Sequence, residues 1–278
     1  EDGVLLLQPH GQYMSGLKWV EEGHTARLFT SSYEGTIRCI DLGRAPASGP
    51  GPGAFSLVAR LEGHEVSALE VAPDGRTAFF GDNEGGFGIV DVRARQPDPA
   101  FKARALHDRK INMVSLEAGG NALATCASDG TVLLWDLRAL WAPKGPKPVA
   151  ALPHAKSCQA AAWAPDGSGR LLTTCYDNGL RVWAGLEAVC GAGKGKAAPK
   201  ALHIRHNTNT GRWVVPFRAI WAPASDAAIV GSMQRQVCLI DAQSGRQLQG
   251  LSSEFMTAIP ARNAAHPTLG ALAGGTAS

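Results

Sequence analysis

The stretch from Leu106 to Arg138, LHDRKINMVSLEAGGNALATCASDGTVLLWDLR, constrains the fold more than any other part of the chain. Ile111, Val114 and Leu116 lead to a Gly-Gly turn at 119–120. A second apolar segment ends at Ser128-Asp129-Gly130, and a third, from Thr131 to Leu134, closes on Trp135-Asp136. Short alternating runs separated by turn residues are strands, because a helix would need apolar residues at i, i+3 and i+4. His107 stands upstream, and Asp129 precedes Trp135 by six residues.

A histidine, a turn acid and a closing Trp-Asp in this order are the signature of one four-stranded blade of a β-propeller. The register recurs: Glu34 precedes Ile40-Asp41 by six, Glu84 precedes Val90-Asp91, Asp177 precedes Trp183, and Gln234 precedes Ile240-Asp241. The upstream histidines are His10, His64, His154 and His206. Closures at 41, 91, 136, 183 and 241 lie 50, 45, 47 and 58 residues apart. These periods run from the top of the WD40 range of about 40–45 to well beyond it, which implies inserted loops. Pro/Gly-rich linkers at 43–54, 141–148 and 187–199 supply them, while Ala72-Pro73-Asp74-Gly75 and Ala164-Pro165-Asp166-Gly167 are tight turns between strands.

The predicted fold is therefore all-β, a WD40 β-propeller fragment over 1–278. Its blades lie near 10–42, 55–93, 101–138, 149–184 and 202–241, with a partial unit at 251–278. The chain begins inside a blade and stops inside an apolar strand, so it reads as part of a seven-bladed ring. An incomplete gene model and a smaller closed ring are the alternatives. No apolar stretch approaches a membrane span and Glu1-Asp2 does not begin a signal peptide, so the expectation is cytoplasm or nucleus with no membrane partner. The six cysteines form no CxxC and no Cys/His cluster, so neither a disulfide framework nor a metal site is expected.

Two complete sets of polar residues are predicted to form buried relays: His107, Thr125, Asp129 and Trp135, and His154, Thr173, Asp177 and Trp183. Buried polar groups persist when paired, and a satisfied network fixes loop-to-strand geometry. A set that recurs once per repeat is scaffolding, whereas catalysis needs one site. Where Glu or Gln replaces the aspartate and Ile or Val the tryptophan, apolar packing is expected to take over. No nucleotide loop, HExxH spacing or nucleophile–base arrangement occurs. No catalytic residue, cofactor or small-molecule substrate is expected.

Charge divides along the chain. Residues 1–136 carry 12 Lys/Arg and 18 Asp/Glu, net −6, whereas residues 137–225 carry 12 Lys/Arg and 3 Asp/Glu, net +9. Between Ala188 and Ser225 there is no acid, but Lys194, Lys196, Lys200, Arg205, Arg212 and Arg218 are present. Such a sector suits a polyanion; an acidic-protein docking surface is the competing reading. Trp163 and Trp221 are expected to pack between blades, and Trp213, beside Arg212 in a long loop, to be exposed. Val90-Asp91-Val92-Arg93 and Trp135-Asp136-Leu137-Arg138 both place an arginine two residues past the aspartate.

Beyond the generic repeat, SSYEGTIRCIDL (31–42), FGDNEGGFGIVDVR (80–93), LHDRKIN (106–112), TCASDGTVLLWDLR (125–138), LLTTCYDNGLRVW (171–183), FRAIWAP (217–223), VGSMQRQVCLID (230–241) and IPARNAAHP (259–267) resemble the WD-repeat-containing protein 76 family. Its fungal members are called changed-mutation-rate proteins, and it is related to the small WD40 subunit of the UV-damaged-DNA-binding complex. The resemblance covers nearly the whole chain. It implies a nuclear, non-enzymatic seven-bladed propeller that binds duplex DNA in the damage response, in some members with a preference for UV-damaged DNA, and that is linked to chromatin proteins. It also implies that Asp91, Arg93, Asp136 and Arg138 contact the cullin-4 adaptor, with Val90 departing from the aromatic usual there. For DNA it points to Lys110 with Arg109 beside it, and to Lys18, Trp19, Lys156, Arg218 and Arg262 in loops flanking inner strands. The apolar hairpin with which the damage-binding subunit fills a lesion has no identifiable counterpart.

Overall fold

The computed structural model describes residues 7–22, 25–44, 55–94, 103–140, 146–186 and 199–276. Most of the three predicted linkers, with Lys194, Lys196 and Cys190, lies outside them. Among the described residues there are five four-stranded antiparallel sheets and one hairpin. The first sheet holds β1 (Met14–Glu22), β2 (Thr25–Ser32), β3 (Thr36–Asp41) and β4 (Phe55–Arg60). The second holds β5 (Val66–Val71), β6 (Thr77–Asp82), β7 (Gly86–Asp91) and β8 (Arg104–Ala105). The third consists of β9 (Ile111–Leu116), β10 (Ala122–Ala127), β11 (Thr131–Asp136) and β12 (Ala150–Pro153).

In the fourth are β13 (Cys158–Trp163), β14 (Leu171–Cys175), β15 (Gly179–Ala184) and β16 (Lys200–Arg205). The fifth comprises β17 (Ile220–Trp221), β18 (Ala227–Ser232), β19 (Gln236–Asp241) and β20 (Gln247–Leu251). A two-stranded hairpin, β21 (Pro260–Ala265) and β22 (Leu272–Thr276), follows. No helix among the described residues is long and apolar enough to cross a membrane.

The sheets are offset by one strand from the sequence repeat. The strand that opens the 55–93 repeat, β4, hydrogen-bonds to β3 in the preceding sheet, and β8, β12 and β16 do the same to β7, β11 and β15 at the next three boundaries. The second to fifth repeats thus each donate their first strand backward, which links neighbouring repeats by backbone hydrogen bonds. Second strands are buried along their whole length, as in β10 and β18, whereas fourth strands such as β20 are largely exposed.

The chain forms two compact units, Glu1–Val114 and Ser115–Ser278, with the division falling inside β9. In the first, Val20, Phe29, Ile37, Val66, Leu69 and Phe80 form the core. In the second, Leu172, Leu180, Ile204, Phe217, Trp221, Val230 and Ile240 do so. Trp221 is buried as expected, and its Nε1 donates to the Ala162 carbonyl at 2.8 Å.

The turns joining second to third strands require left-handed backbone at the residue after the turn acid, or after Gln234 where that replaces it. Gly35, Gly85 and Gly130 hold it with φ of 79°, 91° and 86°, and Asn178 and Arg235 hold it with φ of 59° and 57°. At Gly85 a Cβ would also run into the carbonyls of His107 and Arg109. Both conformation and space therefore select glycine there.

The Pro-Asp-Gly turns form as predicted, with Gly75 N–H donating to the Ala72 carbonyl at 2.8 Å. Arginines from neighbouring sheets grip turns of this kind. Arg27 donates to the carbonyls of Asp74 and Gly75 at 3.2 and 3.1 Å. Arg170 donates to the carbonyl of Ser225 at 2.6 Å and lies over the Trp221 ring, 5.0 Å from its centroid.

Candidate nucleic-acid interface

The polar relays set the frame that carries the candidate site. In the third sheet Trp135 Nε1 donates to Thr125 Oγ1 at 2.9 Å, and Asp129 accepts from the Thr131 amide and hydroxyl at 2.8 and 2.7 Å. His107 is buried, and its backbone N–H donates to the Gly85 carbonyl at 3.2 Å. In the fourth sheet Thr173 Oγ1 meets His154 Nε2 at 3.0 Å and accepts from Trp183 Nε1 at 3.1 Å. Asp177 does not complete that set as expected. His154 Nδ1 donates to the Leu152 carbonyl at 3.0 Å, and Asp177 pairs with Arg181, four residues on across the turn. Burial, together with the Arg181 charge, pulls the His154 pKa down to about 4, so the ring is neutral near pH 7.

The expectation that repeats with Glu for Asp rely on apolar packing also fails in the first sheet. His10 Nδ1 lies 2.7 Å from Glu34 Oε1, and its Nε2 lies 2.9 Å from Thr30 Oγ1. Thr36 Oγ1 donates to the same carboxylate at 2.5 Å and Gly11 N–H at 3.1 Å. Burial pushes the Glu34 carboxyl up, but these donors outweigh it and hold its pKa at about 2. Glutamate plus two hydroxyls thus builds a histidine-centred relay in this sheet without aspartate or tryptophan.

The two Asp-x-Arg boxes adopt one geometry. Arg93 Nε and Nη2 donate to Asp91 at 2.9 and 2.8 Å, and Arg138 Nε and Nη2 to Asp136 at 3.0 and 2.8 Å. The backbone N–H of each arginine adds a third bond. Both guanidinium side chains are about two-thirds exposed, at 65% and 67%. The side-chain bonds from Arg93 depress the Asp91 pKa to about 2. Val90 in place of an aromatic leaves the fork unchanged.

The DNA candidates separate by unit. In the first, Lys18 and Trp19 lie inside β1 rather than in a loop, because the strand runs unbroken from Met14 to Glu22. Lys18 pairs with Glu70 at 2.9 Å, and the Trp19 indole donates to Glu21 at 2.7 Å. Lys110 Nζ donates to the Tyr33 hydroxyl at 2.9 Å and sits 4.7 Å from that ring's centroid, while Arg109 beside it is exposed. These cations and rings are largely engaged with their own neighbours.

In the second unit a chain of hydrogen bonds connects the segments that carry Lys156 and Arg218, and Arg262, which lies inside β21 rather than in a loop, reaches the second of them. The Lys156 carbonyl accepts from the Cys175 thiol at 2.9 Å, and Tyr176 N–H donates to the Ser157 carbonyl at 3.0 Å. Thr208 Oγ1 donates to the Cys175 carbonyl at 2.6 Å and accepts from Asn178 N–H at 3.1 Å. The segment 206–219 then runs past an exposed Arg212 and Trp213 to Phe217, which is fully buried. Ala219 N–H donates to Thr174 Oγ1 at 2.9 Å, and the Arg262 guanidinium donates to the Pro216 carbonyl. Lys156 is exposed and Arg218 half-buried. Arg262 fastens the loop as well as adding charge. Sequence reasoning misses Thr208 and Asn178 as the anchors, since both are ordinary loop residues there and their partners are about thirty positions away.

No group of three His, Cys, Asp or Glu side chains among the described residues is placed to hold a metal ion. The cysteines at 39, 126, 158, 175 and 238 are buried free thiols.

The sequence matches the WD domain, G-beta repeat, at residues 105–136 and 146–184. It is 31% identical over 283 residues to WD repeat-containing protein 76 of Xenopus laevis, across 100% of this chain and 46% of that protein. Identity to the protein of the same name from Rhinolophus ferrumequinum is 33% over 285 residues, across 100% of this chain and 42% of that one. The chain is a WD40-repeat protein related to the WD repeat-containing protein 76 and CMR1 proteins. On the fungal side, DNA damage-binding protein CMR1 of Coccidioides immitis is 29% identical over 296 residues, across 99% of this chain and 54% of that protein. This WD40-repeat chain spans about half the length of these relatives. A chain in the crystal structure of the mitotic checkpoint complex superposes with a TM-score of 0.66 at 17% identity, over 95% of this chain and 71% of that one, a likeness of fold alone.

Proposed function

We propose that this WD40-repeat protein is a non-enzymatic nuclear scaffold of the DNA damage response, part of a seven-bladed propeller that binds duplex DNA through its phosphates. The observation that carries the reading is the hydrogen-bonded end of the second unit. The segments that carry Lys156, Arg212 and Arg218 are joined there by hydrogen bonds, Arg262 fastens the second of them, and the chain has no acid from 188 to 225. The acid in the adjoining turn, Asp177, is spent on Arg181. Phosphate neutralisation by such a surface gives affinity with little sequence information. The name of the CMR1 relatives, DNA damage-binding protein, points the same way. Preference for UV-damaged duplex belongs to this reading.

Fluorescence anisotropy with duplexes of several sequences, intact and UV-irradiated, tests it. Changing Lys156→Ala together with Arg218→Gln is expected to weaken binding to all of them alike. Unaltered affinity would remove this surface from consideration.

A second reading is favoured by the matched forks at Asp91–Arg93 and Asp136–Arg138. Two preorganised, exposed guanidinium groups suit docking of a partner protein, here the cullin-4 adaptor or a chromatin protein. Retention of the purified adaptor that is lost on Arg138→Ala or Arg93→Ala supports it; retention by both variants rejects it.

A further inference from the structure

We propose that Trp213, presented by the segment 206–219, is a stacking platform for an unpaired nucleobase, with Arg212 beside it for the adjoining phosphate. The inference rests on the DNA-binding reading above and names a second element of the same surface.

Trp213 is 90% exposed. An indole that large is normally covered, and its exposure here does not come from a slack loop. Thr208 holds the entry of the segment through the Cys175 carbonyl and Asn178 N–H at 2.6 and 3.1 Å. Asn207 and Asn209 brace the turn, accepting from the N–H groups of Asn209 and Gly211 at 3.1 and 3.4 Å. Phe217 plugs the exit into the core, and Arg262 clamps the Pro216 carbonyl. A connection this long without strands of its own is more often functional than not. Anchoring at both ends lowers the ordering cost of any contact made at its tip.

Charge decides what the tip suits. Trp19 is the contrasting case: it is 55% exposed, but its N–H is held by Glu21 and the neighbouring Lys18 by Glu70, an acidic setting that disfavours a polyanion. Trp213 is flanked by Arg212 in a stretch of sequence without acids from 188 to 225, the acid of the adjoining turn, Asp177, is paired with Arg181, and the segments carrying Lys156 and Arg218 are bonded to that turn and its strand. Cation and exposed ring together are the elements of sequence-tolerant binding to single strands, in which every base offers a π-face. Inside an intact duplex that face is covered by its stacked neighbours, so the platform engages bases that are unpaired.

The test uses the full chain, an oligothymidine and a duplex of equal length in anisotropy titrations. Trp213→Ala is expected to lower affinity for the single strand by roughly five- to a hundredfold and for the duplex much less. Trp213→Phe is expected to keep most of the affinity, and as the side chain is exposed both variants are expected to fold like the parent. Equal single-strand affinity for Trp213→Ala and wild type, with duplex binding still sensitive to Lys156→Ala/Arg218→Gln, overturns the platform and leaves the phosphate reading standing. Absence of salt-sensitive binding to either oligonucleotide by the wild type overturns both. A Trp213→Ala defect confined to adaptor retention, with nucleic-acid affinities unchanged, also overturns the proposal and assigns the ring to a protein interface.

Discussion

Thr208 donates its hydroxyl to the Cys175 carbonyl at 2.6 Å, which ties the long segment after β16 to the turn that follows β14. The same oxygen accepts from Asn178 N–H, so one buried side chain satisfies two backbone groups 30 and 33 residues away. Thr208→Val keeps the shape and strands both groups. A stability loss of about 1–3 kcal/mol in urea unfolding is expected, and a variant as stable as wild type would mean that the loop is held by other bonds.

The relay on Glu34 carries a pH signature. Its carboxyl pKa falls from 4.5 to about 2 in the folded chain. A depressed carboxylate contributes stability above its unfolded pKa, and the contribution is lost as pH drops through the folded value. Up to about 3 kcal/mol is therefore expected to disappear between about pH 5 and pH 2. Glu34→Gln is expected to flatten thermal stability over that window, and an equal acid dependence in both proteins would contradict the assignment.

His154 acts at higher pH. Its pKa falls from 6.5 to about 4, first through burial and then through Arg181. Because the folded protein resists protonating this ring, stability is full above about pH 6.5 and declines as pH falls toward 4. His154→Asn is expected to remove that decline while Glu34→Gln leaves it in place. The two variants thus separate two windows on one stability curve.

Backbone handedness gives a paired test. Gly85 and Gly120 both have positive φ, 91° and 72°, but a Cβ at Gly85 meets two carbonyls whereas one at Gly120 meets nothing. Gly120→Ala is expected to cost only the left-handed strain of about 1–2 kcal/mol, and Gly85→Ala clearly more. Equal melting temperatures for the two variants would show that the crowding is relieved by movement of the 107–109 backbone.

What sequence makes legible follows from how far each interaction reaches. The strands β9, β10 and β11, the Ala-Pro-Asp-Gly turns and the Thr125–Trp135 bond follow from local alternation and a fixed period, and all three appear. The Glu34 relay escapes a pattern that is tied to aspartate and tryptophan, because here a longer acid reaches the histidine directly, with Thr30 and Thr36 completing the set. Asp177 departs from the pattern because a turn brings Arg181 onto it, a pairing that outweighs the neutral histidine. The clamps by Arg27 and Arg170, and the gathering of Lys156, Arg218 and Arg262, depend on interactions between sheets that no periodicity reports.

The salt dependence of duplex binding tests the central claim most directly. Plotted as log affinity against log salt concentration, wild type is expected to give a steep negative slope. Lys156→Ala with Arg218→Gln is expected to make it shallower by roughly one to two units, about one for each phosphate no longer neutralised. Superimposable slopes for the two proteins would contradict a phosphate-binding role for this end of the second unit.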